Sequence, residues 1–505
     1  MTHFVVVGGG TAGWLAALAL SKVALDTRQP VKITVIESSK IPIIGVGEGS
    51  TAAFSVMLRQ FGIDPIEFLR ETRGTIKLGI RHKDWRRIGH TYQGPIDEPH
   101  QMVKGTNGMQ FLNVYEVAAG RPVAGLHLFD RLMTNDLSPY ARKPDGSLIA
   151  LSPFLHANHF DSFDVGRFLK RKSTGVDVID AIVKGVEMSV AGDISALALD
   201  DGRSLAGDFF IDCTGFRRQL IEKAMGARWV SYADELPVNR AMPFWLPHRP
   251  DAAVASYTLA WAQSSGWIWS IPTQDRYGMG YVYSDAFLTP DQAKAEVERT
   301  LGHPIEVRAD IKMAVGRLAT PWIKNCLALG LASSFLEPLE ATSIHGTVVQ
   351  LMLFANDYLK LPFAPGDAER DGYNARIGRQ IDDFRTFINC HYVTERDDTP
   401  FWRHVRENCI HPEARLRLAA WKDHMPRRAD FPDYLSGFPH ADPTLYYPVL
   451  DGLGHLDRKV AQREMEAAPK LRKQAAEISD GLKAEFSRVA AQAISHRALL
   501  DGLAG

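Results

Sequence analysis

Long apolar segments are missing from this chain: no run reaches the ~18 residues that a membrane-spanning helix needs. An excess charge of one sign is missing too, because 58 basic and 59 acidic residues leave a formal net charge of −1. Neither a membrane nor a nucleic acid is therefore expected as a partner. No charged and apolar leader with a cleavage site opens the sequence, so we expect a cytoplasmic protein.

Cysteine is scarce, and its spacing argues against a disulfide framework and against a zinc site. Only four cysteines occur, at Cys213, Cys326, Cys390 and Cys409, and none belongs to a CxxC pair. This spacing predicts neither a disulfide framework nor a zinc site, and we predict no metal and four reduced thiols. The composition, with 45% apolar and 23% charged residues in 505, is that of a large folded chain with more than one core.

The first residues carry a dinucleotide-binding pattern. An apolar run, Phe4 to Val7, precedes Gly8, Gly10 and Gly13, which fit GxGxxG, and a stretch rich in alanine and leucine follows. Gly8 permits the tight turn, Gly10 lets the backbone approach a pyrophosphate, and Gly13 lets helix and strand pack closely. The helix start then faces the phosphates. A second strand, VKITVIE, ends on Glu37, where an acid suits a ribose hydroxyl.

Later segments favour FAD over NAD as the dinucleotide. A strand ending at Asp212 and another reaching Gly330 precede a helix that begins near Thr342. We expect the chain to return to the nucleotide-binding part after an excursion, with that part formed by residues of about 1–60, 205–225 and 320–345. Such a discontinuous layout suits FAD-dependent monooxygenase-type proteins better than a simple NAD dehydrogenase.

The excursion, about 75–320, has strand periodicity. TIKLGIRHKDW alternates, which predicts one strand from Thr75 with Lys77 on its polar face. From about residue 255 the pattern predicts consecutive antiparallel strands, and one of them is GWIWSIP, residues 266–272. Alternation places Trp267, Trp269 and Ile271 on one face of that strand. After about residue 343 the periodicity is helical.

Several of these segments together resemble the flavin-dependent tryptophan halogenases. The resemblance covers nearly the whole chain and rests on GxGxxG at 8–13, IIGVGEGST at 43–51, Lys77 in TIKLGI, GWIWSIP at 266–272, FLEPLEATSIHG at 335–346 and HYVTERDDTPFW at 391–402. It implies an α/β (α+β composite) chain: a Rossmann-like, FAD-binding flavin monooxygenase fold over 1–342 with a β-sheet substrate region, and a mainly helical substrate-binding module over 343–505. It also implies a separate flavin reductase that supplies FADH2, and it leaves homodimerisation open.

The resemblance further implies the chemistry. Reduced FAD, O₂ and halide give hypohalous acid, which travels through a tunnel to an indole ring in a separate pocket. Lys77 is the implied catalytic lysine, which holds hypohalous acid as an ammonium donor or reacts as a neutral amine to form a haloamine. Lys83, six residues on, is expected at a turn or at the tunnel mouth. Glu340 matches the glutamate of the family's PLES stretch and either stabilises the cationic ring intermediate or takes its proton; Glu337 is its near neighbour.

The remaining implied site residues fall into four groups. Cofactor contacts are expected from Gly8, Gly10, Thr11, Ala12, Gly13, Glu37, Gly330 and a strap over the flavin made of Val46, Gly47, Glu48, Gly49 and Ser50. Backbone N–H groups of Thr342 and Ser343 are expected to hold the halide. The well-known tryptophan enzymes have Ser-Thr-Gly where this chain has Ala341-Thr342-Ser343, so chloride and bromide both stay open.

The substrate contacts are expected from Gln93, Tyr446 and Tyr447. The tryptophan enzymes have a histidine where this chain has Gln93, so a smaller indole, or an indole within a larger molecule, fits as well as free tryptophan. Trp267, Trp269, Ile271 and Pro272 form either core packing or a wall between flavin and substrate. Two alternatives stay open: a flavin monooxygenase that hydroxylates an aromatic substrate, for which such a wall would be counterproductive, and a non-catalytic FAD-binding protein, which would not need Lys77.

Overall fold

A computed structural model of the chain describes residues 1–41, 47–103, 108–249, 252–431, 441 and 443–504. The strands are β1 (Thr2–Val7), β2 (Val31–Glu37), β3 (Gly47–Gly49), β4 (Thr75–Lys77), β5 (Gly79–Lys83), β6 (Thr91–Pro95), β7 (Tyr140–Arg142), β8 (Leu148–Ala150), β9 (Ala157–Asp161), β10 (Val176–Asp180), β11 (Val183–Met188), β12 (Ile194–Leu199), β13 (Ser204–Ala206), β14 (Phe209–Asp212), β15 (Trp229–Ser231), β16 (Arg240–Pro247), β17 (Thr258–Ala262), β18 (Gly266–Pro272), β19 (Arg276–Tyr283), β20 (Ile311–Lys312), β21 (Gly316–Leu318), β22 (Trp322–Ile323), β23 (Cys326–Ala328) and β24 (Ser334–Phe335).

The α-helices follow the same order. They are α1 (Thr11–Thr27), α2 (Ala52–Gln60), α3 (Pro65–Thr72), α4 (Gly108–Ala119), α5 (Leu128–Thr134), α6 (Ser162–Lys172), α7 (Pro290–Leu301), α8 (Thr342–Leu353), α9 (Asp367–His391), α10 (Pro400–His404), α11 (Pro412–Ala420), α12 (Pro443–Leu453), α13 (Arg458–Ala467), α14 (Pro469–Ala490) and α15 (His496–Ala504). Helices and sheets are thus both present, and the α/β prediction is confirmed.

A six-stranded sheet in the order β10-β2-β1-β14-β23-β22 carries the first core. β1 pairs in parallel with both β2 and β14, and β23 pairs in parallel with β14. A strand buried on both faces needs a continuous apolar run, and Phe4–Val7 is such a run. Because these strands are parallel, their carboxyl ends lie along one edge of the sheet, and the loops that follow them meet there.

A seven-stranded sheet in the order β20-β16-β19-β18-β17-β5-β6 forms the second layer. β17, β18 and β19 are antiparallel neighbours, as their sequence predicts. Side chains of β18 alternate between two cores: Trp267 and Trp269 pack into the largest hydrophobic cluster, and Ile268 packs into a cluster with α7. The prediction that the two tryptophans share a face is confirmed.

The predicted single strand from Thr75 is wrong, because the chain leaves one sheet for another at Leu78. β4 belongs to a three-stranded sheet, β3-β9-β4, whereas β5 joins the seven-stranded sheet. The N–H of Leu78 donates to the carbonyl of Ser256, and the N–H of Ile96 donates to the carbonyl of Leu78. Lys77 therefore ends a strand that belongs to a different sheet from Arg81 and Lys83. The alternation of side chains along a single strand does not describe where Lys77 lies.

The chain is mostly helical from α8 onward. The long helix α14 packs against α4 and α5, so the last part of the chain closes over the part around residues 108–134. All four cysteines are free. Within the described residues, no helix combines the length and the apolar character that crossing a membrane requires.

Candidate functional site

A cavity of about 990 Å³ lies at the carboxyl edge of the six-stranded sheet. Its wall is formed by the segments that follow the parallel strands and by the start of α8. The lining includes Gly8, Gly10, Thr11, Ala12, Glu37, Gly47, Glu48, Gly49, Lys77, Trp269, Ile271, Gly330 and Ser343. Most of the cofactor residues expected from the sequence thus face one space.

The glycines of the first turn are required by close packing. Gly8 has a φ of +119°, and a Cβ there would lie 2.3 Å from the carbonyl oxygen of Cys213. A Cβ on Gly13 would lie 1.8 Å from the carbonyl oxygen of Gly8, so a side chain there would separate helix from strand. Among the described residues, no heavy atom lies within 4 Å of the ideal Cβ position of Gly10, which leaves space over the start of α1. Gly13 itself does not line the cavity.

Glu37 ends β2 at the cavity wall, as its place in the sequence predicts. Its Oε2 accepts a hydrogen bond of 3.1 Å from Trp14 Nε1, and its Oε1 accepts one of 2.5 Å from Lys170 Nζ. These two donors fix the carboxylate at the rim of the cavity.

The strap predicted at 46–50 is held between the two layers. Gly47 packs against Ile271 and Gly278, and the Ser162 hydroxyl donates to Oε1 of Glu48. Burial raises the pKa of Glu48, and the Ser162 hydrogen bond only partly offsets it. Ser50 is buried, donates from its N–H to the carbonyl of Asn158 at 2.8 Å and does not line the cavity. Val46 lies outside the described residues.

Lys77 is buried at the cavity wall, with 2% of its surface exposed. The expectation that it lies on a polar strand face is corrected: the side chain turns inward beneath the strap, where Gly49 leaves room for it. Burial lowers the pKa of Lys77 to about 8, and the negative charge of Glu340 opposes that effect. Lys83, by contrast, places its Nζ 3.5 Å from the centre of the Trp261 ring.

Gly49→Ala is expected to reduce product formation roughly tenfold by displacing Lys77, since small misplacements of a reacting group are costly. A Cβ at Gly49 would lie 3.1 Å from Lys77 Nζ and 3.4 Å from Thr258 Oγ1. Steady-state turnover and flavin titration measure the two effects, and FAD affinity is expected to change by less than about twofold. Gly481→Ala, which adds a methyl group in open space, is the matched control. Equal turnover in both variants would contradict this placement of Lys77.

One face of the GWIWSIP strand borders both the cavity and an aromatic cluster beside the cavity. Trp269 and Ile271 line the cavity, and the Trp269 ring lies directly against Gly280, where a Cβ would come within 2.0 Å of it. Trp267 lies on the same strand face but does not line the cavity, and its Nε1 donates to Oε2 of Glu337 at 3.0 Å. Pro272 is not part of the wall: its carbonyl accepts a 2.7 Å hydrogen bond from the Thr75 hydroxyl.

Glu340 stands in the turn just before α8 and faces two histidines. Its Oε1 lies 2.9 Å from His391 Nε2 and 3.6 Å from His82 Nε2. The longer distance exceeds that of an ordinary hydrogen bond. Burial alone would raise the pKa of Glu340, but the neighbouring His391 and His82 rings outweigh burial and hold it below its usual range.

Glu337 has surroundings unlike those of Glu340. It is fully buried, and the Tyr392 hydroxyl donates to its Oε2 at 2.6 Å beside the Trp267 hydrogen bond. Burial raises the pKa of Glu337 to about 7, although both hydrogen bonds favour the anion. Glu337 therefore anchors the aromatic cluster, and Glu340 is the carboxylate of this turn that stands beside the histidines.

Sequence reasoning missed His82 and His391 as site residues. His391 opens the HYVTERDDTPFW segment, so that motif was an available signal for it. No sequence signal pointed to His82, because the burial of His82 depends on β5 joining the seven-stranded sheet. His82 is fully buried and stacks on Tyr92, with ring centres 4.5 Å apart.

The residues expected to hold halide begin α8. Ala341 precedes the helix with a φ of +54°, a left-handed conformation that an alanine rarely adopts. Thr342 donates its hydroxyl to the carbonyl of Glu337 at 3.3 Å, and Ser343 faces the cavity. The first N–H groups of a helix have no partners within that helix. The N–H groups of Thr342 and Ser343 therefore point out of the N-terminal end of α8, which is the end at the cavity.

The expected substrate residues belong to β6 and α12. Gln93 faces away from Glu340 and bonds to Arg81 and Asp130, since Tyr92 takes the face nearer Glu340. The Tyr446 hydroxyl accepts from Arg417 at 3.0 Å. The Tyr447 hydroxyl donates to the carbonyl of Pro426 at 2.8 Å. All three side chains thus have hydrogen-bond partners within the protein.

The chain is similar to several known proteins in sequence and in fold. A sequence profile described as tryptophan halogenase matches residues 3–459. The chain is 30% identical to tryptophan 6-halogenase SttH from Streptomyces toxytricini, over 96% of this chain and 97% of that protein. The solved structure of Tar14, a tryptophan C-6 flavin-dependent halogenase from taromycin biosynthesis, superposes with a TM-score of 0.89 at 28% identity and covers 100% of both chains. BrvH, a flavin-dependent halogenase from Brevundimonas sp. BAL3, gives a TM-score of 0.84 at 31% identity, over 100% of this chain and 99% of that chain.

Proposed function

This chain belongs to the tryptophan halogenase family, whose members are flavin-dependent enzymes, and on that premise we propose that it uses FADH2, O₂ and a halide ion to halogenate an indole-type ring. The observation that carries the proposal is the position of Lys77. It stands buried in the wall of the cavity, and the charge of Glu340 acts on it. Lys77 thus faces the cavity and lies within electrostatic range of Glu340.

The residues around the cavity fit FAD. Space over Gly10 and the start of α1 suits a pyrophosphate, and Glu37 stands where a ribose hydroxyl is expected. The strap from Gly47 to Gly49 closes the cavity on the side of Lys77. Bound in its reduced form with O₂ and halide, FAD would supply hypohalous acid, and the start of α8 at Thr342 and Ser343 would hold the halide. Both chloride and bromide satisfy this arrangement.

Lys77 would receive hypohalous acid at the cavity wall. As an ammonium it donates a hydrogen bond to the acid; as a neutral amine it forms a haloamine and releases water. A pKa of about 8 keeps both forms accessible near neutral pH. Glu340 would then stabilise the cationic ring intermediate or remove its proton, with His391 fixing the position of the carboxylate.

The wall formed by Trp269 and Ile271 argues against hydroxylation. A hydroxylase needs its substrate beside the flavin, whereas these two bulky side chains line the cavity that would hold the flavin. Trp267 supports the wall through its bond to Glu337. We propose that the wall keeps the aromatic substrate from the flavin, so that hypohalous acid is the reagent that crosses.

We also propose a division of the chain into two modules and a flavin reductase as its partner. Residues 1–342 would form the flavin-binding module, and residues 343–505 would form a mainly helical substrate module that contributes His391. A separate flavin reductase would supply FADH2, as the family requires. The indole substrate would be free tryptophan, a smaller indole or an indole within a larger molecule.

A product assay tests the function. Protein, FADH2, O₂, bromide and indole are mixed with catalase, which removes free peroxide, and products are separated by mass. Indole carrying the bromine isotope pattern, absent from the mixture without protein, is expected. Hydroxylated indole without any brominated product would contradict the proposal and restore the monooxygenase alternative.

A further inference from the structure

Three potential metal ligands converge behind the cavity wall. His82, Glu340 and His391 each present one nitrogen or oxygen, and these atoms all lie within 4.8 Å of one another. They come from three distant parts of the chain: β5, the turn before α8, and the end of α9. Two imidazoles and one carboxylate form the donor set that binds divalent transition metals in proteins.

The orientation of His391 leaves a place for a cation. Its Nδ1 lies 3.0 Å from the carbonyl oxygen of Phe387, and a carbonyl can only accept, so Nδ1 carries a proton. In the neutral ring Nε2 then presents a lone pair toward Oε1 of Glu340, which also presents lone pairs, at only 2.9 Å. Two acceptors at this distance need a cation between them, either a proton or a metal ion. A histidine fixed by a backbone carbonyl at its other nitrogen is also the usual arrangement at metal centres.

The environment of His82 points the same way. Its ring is fully buried, and among the described residues neither ring nitrogen has a hydrogen-bond partner. An unsatisfied buried polar group destabilises the folded state. Stacking against Tyr92 fixes the plane of the ring, with Nε2 directed at Glu340 from 3.6 Å.

We propose that His82, Glu340 and His391 form a three-ligand site for a divalent cation of the Zn²⁺ or Co²⁺ class, which takes the place of the proton held between His391 and Glu340. Ligands about 2.1 Å from a tetrahedral or octahedral ion are about 3.0–3.4 Å apart. The observed 2.9 and 3.6 Å need only small shifts to reach that range. One consequence rests on the proposed function: a metal ion bound to Glu340 withholds this carboxylate from the aromatic ring, so the metal inhibits halogenation.

Zn²⁺ binding to the full-length protein tests the site without any turnover. Isothermal titration is expected to give one Zn²⁺ per chain, and Co²⁺ at the same site is expected to show the visible absorption of an ion bound by nitrogen and oxygen. His82→Phe, which keeps a ring against Tyr92, and His391→Ala should each weaken binding at least tenfold. His303→Ala, which removes an exposed histidine, is the matched control and should bind as the wild type does. Thermal unfolding and FAD titration check that the variants fold.

The outcomes separate the site from the proposed function. Absence of stoichiometric binding, or equal binding in His82→Phe and His391→Ala, overturns the metal site and leaves the halogenase proposal intact. Binding that is lost in both variants and that blocks halogenation reversibly, with recovery on adding EDTA, supports the site and its effect. Stoichiometric binding at these histidines without loss of halogenation supports the site but contradicts the role given to Glu340.

Discussion

Lys77→Ala is expected to lower the yield of halogenated product by at least about 10³-fold, while FAD affinity changes by less than about twofold. The Lys77 amine lies in the cavity wall, within electrostatic range of Glu340. Its removal therefore takes away the group that would hold hypohalous acid between the cavity and Glu340. Alanine adds no charge and forms no new contact at the flavin. Product yield by mass and flavin titration measure the two quantities.

Lys83→Ala is the matched control for Lys77→Ala. Lys83 is the next lysine along the chain, but it packs its ammonium over Trp261 rather than in the cavity wall. Its removal is expected to leave product yield within about twofold, because a cation–π contact contributes only ~0.5–2 kcal/mol to stability. Comparable losses in the two variants would mean that positive charge near the site, and not the Lys77 amine, supports turnover.

Glu340→Gln is expected to slow halogenation about 10²-fold with little change in FAD affinity. The amide has nearly the same shape, but it carries no charge to stabilise the ring intermediate and is too weak a base to accept its proton. The variant should still oxidise halide, because Glu340 does not line the cavity. Single-turnover product yield, together with flavin oxidation followed by absorbance, separates these two steps.

Glu337→Gln tests whether the right glutamate has been assigned. It makes the same change in the same turn, at a carboxyl group bonded to Trp267 and Tyr392 instead of to a histidine. A loss of less than about tenfold is expected, since the amide oxygen can still accept those hydrogen bonds. A larger loss in Glu337→Gln than in Glu340→Gln would show that the two roles are exchanged.

Local sequence patterns predicted the nucleotide-binding end of the molecule because its geometry is local. The turn at Gly8 follows its own strand, and the close packing of Gly13 involves a residue only five positions away. Glu37 ends a strand that pairs directly with β1. Short-range steric rules therefore suffice to place these residues, and the alternation of GWIWSIP likewise follows from a single regular strand.

The environment of the catalytic candidates could not be predicted in this way. Alternation assumes one continuous strand, but Leu78 passes the chain between two sheets, and this turns Lys77 inward. The resemblance implies Gln93 as a substrate contact, yet the face of β6 that it occupies depends on how β5 and β6 pair. The approach of His82 and His391 to Glu340 is set by tertiary packing alone. Family resemblance supplied Lys77 and Glu340, and only the fold supplied their neighbours.

Trapping of free hypohalous acid tests most directly the claim that this reagent is made at the flavin cavity and passed through Lys77 to a separate ring site. FADH2, O₂, bromide and indole are reacted in one turnover with wild-type protein and with Lys77→Ala, in the presence of a reagent that brominates rapidly in solution. Wild-type protein is expected to brominate indole and to leave the trap largely unreacted, whereas Lys77→Ala should transfer the bromine to the trap. Equal division of bromine between indole and trap in both proteins would contradict the account.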